Sequence, residues 1–353
     1  MAYAPDYLKA IEPMIKAAAS QPPPPPPKTV FELRDRVNEA VRGMYAAIPE
    51  QPQIVQSSFD VPVPGGTKVT VTRFATQEQM AATGQPAVMY LHGGGMVCGS
   101  VEFMTRAIAA ETAAMGVQYF AVEYTKSPAV VAPGSLEEAY AVLGHLSQNA
   151  AALGIDNKRL AVAGVSAGGG LAAGIGLMAR DRGLSPPLAK LVLVYPMLDD
   201  RTVQVHPPAG ASHAGANTND AGWAVRPLLT WTCEQNALAW AAYLGVGNPT
   251  EDDAPTCAAN LARASPSVTG SSVAYAVPAR ATSLEGLPSI YMDCGGLDLF
   301  LEENAQFAAR LAHDHVPFDF HVFHGVPHGF EAVPSTNAAQ TAMAQRKLAF
   351  NSF

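Results

Sequence analysis

No stretch of this sequence offers the roughly 18 consecutive apolar residues that a membrane-spanning helix needs, and no block of basic residues interrupts it. Charge is scarce altogether: charged side chains make up 15% of the chain and leave a formal net charge of −8. Without a cationic face there is nothing to neutralise phosphates, so nucleic acid is excluded as the expected partner. The segment Met1 to Lys16 lacks the cationic start and apolar core of a secretion signal. The expectation is a cytoplasmic protein with no membrane span. Cysteine is sparse too. Cys98, Cys233, Cys257 and Cys294 lie far apart and form no Cys-x-x-Cys pair. That argues against a disulfide scaffold or a zinc site, and for buried thiols that pack as small hydrophobes. No metal site and no internal repeat is expected.

What is present is apolar substance: 48% of 353 residues are hydrophobic, enough for a large core in one large domain or two small ones. Two helices are expected at Tyr7 to Ala19 and Val30 to Ala47, separated by Pro22 to Pro27, which must run extended. The second carries Phe31, Leu33, Val37, Val41, Met44 and Tyr45 near helical spacing. By pattern alone residues 1–50 are either an N-terminal extension or part of a lid. Ile54 to Asp60 and Lys68 to Phe74 read as an antiparallel pair rich in β-branched residues.

From about residue 87 strands and helices alternate. Strands are expected at Ala87–Leu91, Val117–Glu123, Arg159–Ala163, Ala189–Tyr195, Pro288–Cys294 and Phe318–Phe323. Between them come helices at Phe103–Met115, Leu136–Ala151, Ala167–Arg180 and Leu301–His313, and a last one follows at Asn337–Asn351. Alternation of this kind predicts an α/β fold, a mostly parallel sheet flanked by helices. Leu301, Ala305, Ala308, Leu311 and Ala312 are expected to form the apolar face of their helix, with Glu302 and Glu303 as first-turn acids favoured by the dipole. Residues 201–230, with Pro207-Pro208, His206 and His213, break the rhythm as a long irregular segment. Thr232 to Gln235 reads as a capping box opening a helix to Leu244. Trp223, Trp231 and Trp240 are the only tryptophans. They either line a pocket or pack this insertion onto the body, the second reading being preferred for at least two of them.

The chemistry is carried by Gly164-Val165-Ser166-Ala167-Gly168, set between an apolar strand and an Ala/Leu-rich helix. Glycines flank the serine because a sharp strand-to-helix turn brings neighbouring backbones too close for side chains. The rival reading, a dinucleotide-binding glycine loop, fits badly because its second glycine should stand where Ser166 stands. Acyl transfer by a serine also needs a base, an acid to orient the base, and donors for the oxyanion. Asp298 and His328 each follow a predicted strand, and the chain order serine, acid, histidine is that of α/β-hydrolases. Asp293 rivals Asp298 but falls within a strand. His313, His315, His321 and His324 precede His328 without a spacing that converges on a metal.

His92-Gly93-Gly94-Gly95 follows another strand and supplies unhindered backbone N–H groups. Gly93, Gly94 and Ala167 N–H are expected to point at the oxyanion. His92 is read as structural, supporting the loop with Gly95 as Gly164 and Gly168 support the turn.

These motifs together resemble the hormone-sensitive-lipase-like branch of α/β-hydrolases. The matching text is Tyr90 to Gly95, Gly164 to Gly169, Tyr195 to Arg201, Pro278 to Ala281 with Leu284 to Pro288, and Pro327 to Phe330. It covers roughly residues 55 to 353. The resemblance implies an eight-stranded sheet and an N-terminal helical cap formed by residues 1–50, with residues 201–245 contributing, over a catalytic domain of residues 51–353. It implies no cofactor, a small-molecule ester of short to medium acyl chain as substrate, and pairing into a homodimer through the last strand and helix. Three departures stand out, one being that residues 201–230 are longer than the family's pattern leads one to expect. Residue 165 is Val where the family has Asp or Thr, and Tyr124 to Ala129 lacks the glutamate of the family's corresponding motif. Lactone, amide or polyester substrates stay open. So does a small-molecule receptor of the kind the plant gibberellin receptors represent on this body, although those lack the histidine.

Overall fold

The computed structural model describes residues 2–20, 25–203, 230–264 and 271–353. Pro22 to Pro24, Trp223, His206, Pro207-Pro208, His213 and most of the irregular segment expected at 201–230 lie outside the described residues.

Eight strands form one sheet: β1 (Ile54–Pro62), β2 (Lys68–Thr76), β3 (Gln85–Leu91), β4 (Gln118–Val122), β5 (Ile155–Val165), β6 (Lys190–Val194), β7 (Ser289–Gly295) and β8 (Phe318–Phe323). Their order is β1-β2-β4-β3-β5-β6-β7-β8. β1 and β2 run antiparallel, as does β2 against β4, and the remaining pairs are parallel. The central strands read as unbroken apolar runs because helices cover both faces. On β3, Ala87, Met89 and Leu91 enter one core layer while Val88 and Tyr90 enter the other. On β6, Leu191 and Leu193 divide from Val192 and Val194 in the same way. Each Val, Leu or Met side chain among them, withdrawn from water, contributes about 1.5–3 kcal/mol.

The expected helices appear at Pro5–Ala19, Val30–Ala46, Val101–Met115, Gly134–Gln148, Ala167–Asp181, Cys233–Leu244, Leu301–His313 and Asn337–Phe350. Thr232 and Gln235 form the capping box read from the sequence. Among the described residues, three α-helices stand beyond those expected: Gln77–Ala81, Ala254–Ala264 and Ser271–Ala276. The second buries only Ala254, Cys257 and Leu261, a helical spacing of mostly small residues that is easily missed. All four cysteines are free and buried. Trp231 and Trp240 are buried as well. No helix among the described residues is long and apolar enough to cross a membrane.

Two expected faces are corrected in part, since Ala308 and Leu311 on one, and Leu33, Val37, Val41 and Tyr45 on the other, do pack against the core. In Leu301–His313 the buried residues are Glu303, Asn304, Phe307, Ala308 and Leu311, while Ala305 and Ala312 are exposed. Hydrogen bonding turns the helix. Glu303 Oε1 accepts the Leu198 N–H at 2.6 Å, and the Asn304 amide donates to the Pro196 carbonyl at 2.8 Å. Glu303 is a first-turn acid, as expected, and is also a buried tie. In Val30–Ala46, Phe31 and Met44 are exposed, and the helix is anchored through Val30 and Leu33.

A polar cluster lies against the C-terminal helix. Tyr119 Oη donates to Glu111 at 3.2 Å. Burial raises the Glu111 carboxyl from 4.5 to about 7, opposed by the nearby Arg346 charge. In the unfolded chain this group ionises near its ordinary value, so the folded state is penalised once it must hold the carboxylate. The contribution is most favourable below about pH 4.5 and declines as pH rises through about 7. Glu111→Gln is expected to stabilise the fold by about 1–3 kcal/mol near pH 8 and by little near pH 4.5. Urea unfolding at the two pH values checks this, and equal effects at both would contradict it.

Candidate active site

β5 ends at Val165 and the following helix begins at Ala167, so Ser166 makes the whole turn alone. Its φ of 58° and ψ of −120° are costly for a residue with a Cβ, about 1–3 kcal/mol. Three backbone bonds hold it there. Ser166 N–H donates to the Val194 carbonyl at 2.9 Å, and its own carbonyl accepts from Met197 at 3.0 Å and Gly170 at 3.1 Å. The flanking glycines are required by close approach. A Cβ on Gly164 would overlap the Gly168 carbonyl, and one on Gly168 would overlap the Leu91 carbonyl.

The acid and the histidine arrive on interleaved loops beyond β7 and β8. Gly296 N–H donates to the Phe323 carbonyl at 2.7 Å and Leu297 N–H to that of Val326 at 2.9 Å. The structure brings the three sequence candidates into one chain of hydrogen bonds. His328 Nε2 lies 2.9 Å from Ser166 Oγ, and His328 Nδ1 lies 2.7 Å from Asp298 Oδ2. Asp298 Oδ1 accepts the Phe300 N–H at 2.9 Å. The carboxylate can thus accept a proton-bearing Nδ1, which leaves Nε2 free to accept from the serine hydroxyl. The rivals are elsewhere. Asp293 is fully buried in an ion pair with Arg346, and His313 and His324 are exposed. Among the described residues no group of three or more His, Cys, Asp or Glu could hold a metal ion.

The glycine loop lies directly beside the serine: a Cβ on Gly93 would stand 3.3 Å from that of Ser166. No acceptor among the described residues takes the Gly93 or Gly94 N–H. Ala167 occupies the first turn of its helix, where N–H groups have no intrahelical acceptor. His92 opens the glycine loop. It is fully buried, its Nδ1 lies 2.7 Å from the Gly93 carbonyl, and its ring stacks on Tyr124 at 4.5 Å. Burial, then the Lys126 charge, lowers its pKa well below the usual histidine value, so the ring is neutral.

Several supports escaped the sequence reading. Arg34, on the helix Val30–Ala46, donates to the Val97 carbonyl at 2.6 Å and the Ser127 carbonyl at 2.5 Å. One helical turn on, Asn38 accepts the Gly99 N–H at 2.7 Å. Tyr124 donates to the His92 carbonyl at 2.9 Å. These bonds brace the loop in a chain that lacks the family's glutamate after Tyr124. Thr230 donates to the His328 carbonyl at 2.7 Å, while a Cβ on Gly95 would strike the Trp231 ring. The end of the irregular segment therefore touches both halves of the site. The i, i+4 spacing of Arg34 and Asn38 was the one signal available beforehand.

A family profile described as "alpha/beta hydrolase fold" matches residues 88–332. The chain is 27% identical over 317 residues to esterase LipI of Mycobacterium tuberculosis, a match spanning 88% of this chain and 86% of that protein. Among solved structures it is similar to a bacterial heroin esterase, with a TM-score of 0.74 and 26% identity over 97% of this chain and 98% of that one. A hyperthermophilic esterase from the archaeon Pyrobaculum calidifontis gives a TM-score of 0.74 and 25% identity, covering 100% of this chain and 99% of the other.

Proposed function

The chain belongs to the α/β-hydrolase family, in its hormone-sensitive-lipase-like branch, and from that premise we propose a carboxylic-ester hydrolase in which Ser166 is the nucleophile, His328 the base and Asp298 the orienting acid. The observation that carries the assignment is the unbroken Ser166–His328–Asp298 chain at 2.9 and 2.7 Å.

As Ser166 Oγ attacks the ester carbonyl, its proton passes to His328 Nε2. Asp298 holds the imidazole in the required tautomer and balances the charge it gains. The carbonyl oxygen becomes an oxyanion facing the N–H groups of Gly93, Gly94 and Ala167, donors that need no reorganisation. When the tetrahedral adduct collapses, His328 returns the proton to the departing alcohol. Water then repeats the sequence on the acyl-enzyme and releases the acid.

The substrate class we infer is esters of short to medium acyl chain. Steady-state hydrolysis of p-nitrophenyl acetate, butyrate, octanoate and palmitate tests both levels. The highest kcat/KM is expected among the shorter chains, with palmitate the poorest. A palmitate optimum would overturn the chain-length assignment, and no turnover on any ester would favour a ligand-binding body instead.

We further infer that the described parts of residues 1–50 and 201–245 cap the site, because Arg34 and Asn38 reach the glycine loop and Thr230 reaches His328. Arg34→Ala with unaltered KM and chain-length preference would count against that role. Pairing of two chains along β8, at the edge of the sheet with Val322 exposed, belongs to the same proposal, and sedimentation as a monomer would remove it.

A further inference from the structure

One aromatic ring beside the base has no part in the chemistry described so far. Tyr195 follows β6 with its φ at +33°, a left-handed conformation unusual for a residue carrying a side chain. Its N–H donates to the Asp293 carbonyl at 2.7 Å. The turn delivers the ring against His328: the two ring centroids are 4.3 Å apart with planes inclined by 57°. Phe300 meets the same imidazole edge-to-face at 5.3 Å.

The ring is fixed from behind. Tyr195 Oη donates to Glu331 Oε1. Glu331 Oε1 lies 3.8 Å from Arg346 Nη1, and Arg346 makes a bidentate pair with Asp293 at 2.7 and 3.0 Å. Burial, and next the Glu331 charge, pushes the phenol well above its ordinary value, so it stays protonated and donates. Groups from several elements surround His328. Ser166 comes from the turn after β5, Tyr195 from the turn after β6, and Asp298 and Phe300 from the segment after β7. Thr230 bonds the histidine's own carbonyl. Glu331 and Arg346 stand behind Tyr195, and Cys294 and Glu303 lie near Asp298.

We propose that Tyr195 is a positioning residue for ester hydrolysis: its ring, packed against the His328 imidazole, holds it in line with Ser166 and favours the imidazolium that exists only while the histidine carries the serine proton. This rests on the assignment of His328 as base. A cation lying over the face of an aromatic ring, within about 6 Å of its centroid, is attracted to that face. The neutral imidazole gains much less. The interaction is therefore stronger in the transition state than before proton transfer, which is the condition for raising kcat and not merely lowering KM. The hydroxyl bonded to Glu331 keeps the ring electron-rich and prevents it from turning away.

The test separates the ring's electrons from its shape. Tyr195 is replaced by Phe, by 4-fluorophenylalanine, by 3,4,5-trifluorophenylalanine and by Leu. Hydrolysis of p-nitrophenyl butyrate is then followed from about pH 5 to 9. Fluorine drains the ring face with little change of size. The expected result is a stepwise fall of kcat along the fluorinated series, with KM nearly constant and the acidic limb of kcat/KM moving to lower pH. Tyr195→Leu is expected to lower kcat by about 2- to 30-fold. If Tyr195→Leu fails to fold, the fluorinated series decides. Fluorinated variants with the kcat and acidic limb of Tyr195→Phe would overturn the proposal. A wild type that neither turns over esters nor reacts covalently at Ser166 would instead overturn the esterase assignment beneath it.

Discussion

Ser166→Ala is expected to lower kcat for p-nitrophenyl esters by roughly four to six orders of magnitude. The hydroxyl is the only group at the turn that can form the acyl-enzyme. The residual rate comes from the oxyanion donors and substrate binding, which the substitution leaves in place. Folding should hardly change. Alanine at φ 58° carries the same Cβ strain as serine, and the bonds that fix the turn are made by backbone atoms of Val194, Met197 and Gly170. The one side-chain bond lost is that to His328 Nε2, worth about 1 kcal/mol. Steady-state kinetics beside urea unfolding check both halves. Turnover within tenfold of wild type would contradict the assignment.

Arg346→Met is expected to cost about 3–5 kcal/mol of stability. Arg346 is 3% exposed, and the Asp293 carboxylate it grips is fully buried in β7. Without the guanidinium, Asp293 keeps, among the described residues, only the Tyr291 hydroxyl, at 2.9 Å, as a side-chain donor, and Glu331 loses its nearby cation. A buried charge left in this way costs far more than the pair had contributed. The control follows from the same physics. Adding Asp293→Leu to Arg346→Met removes the stranded charge and should recover a large part of the loss. Urea midpoints measure both variants. A loss under about 1 kcal/mol for the single variant would show that water reaches the pair.

The sheet was legible because its central strands are short apolar runs bounded by turns, and because the serine turn, the glycine loop and the His328 loop each follow one of them. These residues announce themselves through local geometry: Gly164 and Gly168 are there because no Cβ fits. Residues whose role depends on long-range partners left no such mark. Glu303 at the start of a helix looks like any dipole-favoured acid until Leu198 is known to lie against it. Tyr195 belongs to an apolar run, and only the assembled fold brings its ring to His328. Arg34 and Asn38 sit at helical spacing on a segment that pattern alone read as either extension or lid. Their acceptor and donor, Val97 and Gly99, come from a loop some 60 residues away. On the helix at Leu301–His313, Ala308 and Leu311 are buried as expected, but Ala305 and Ala312 carry too little apolar surface to hold their side of the face against two buried polar ties.

The most direct test of the central claim is covalent trapping. The wild type is treated with a fluorophosphonate ester, weighed as the intact protein and mapped by peptide mass spectrometry. One adduct per chain on Ser166, with activity lost in step and no adduct on Ser166→Ala, is the predicted result. An active enzyme that carries no adduct at Ser166, or that carries it on another serine, would contradict it.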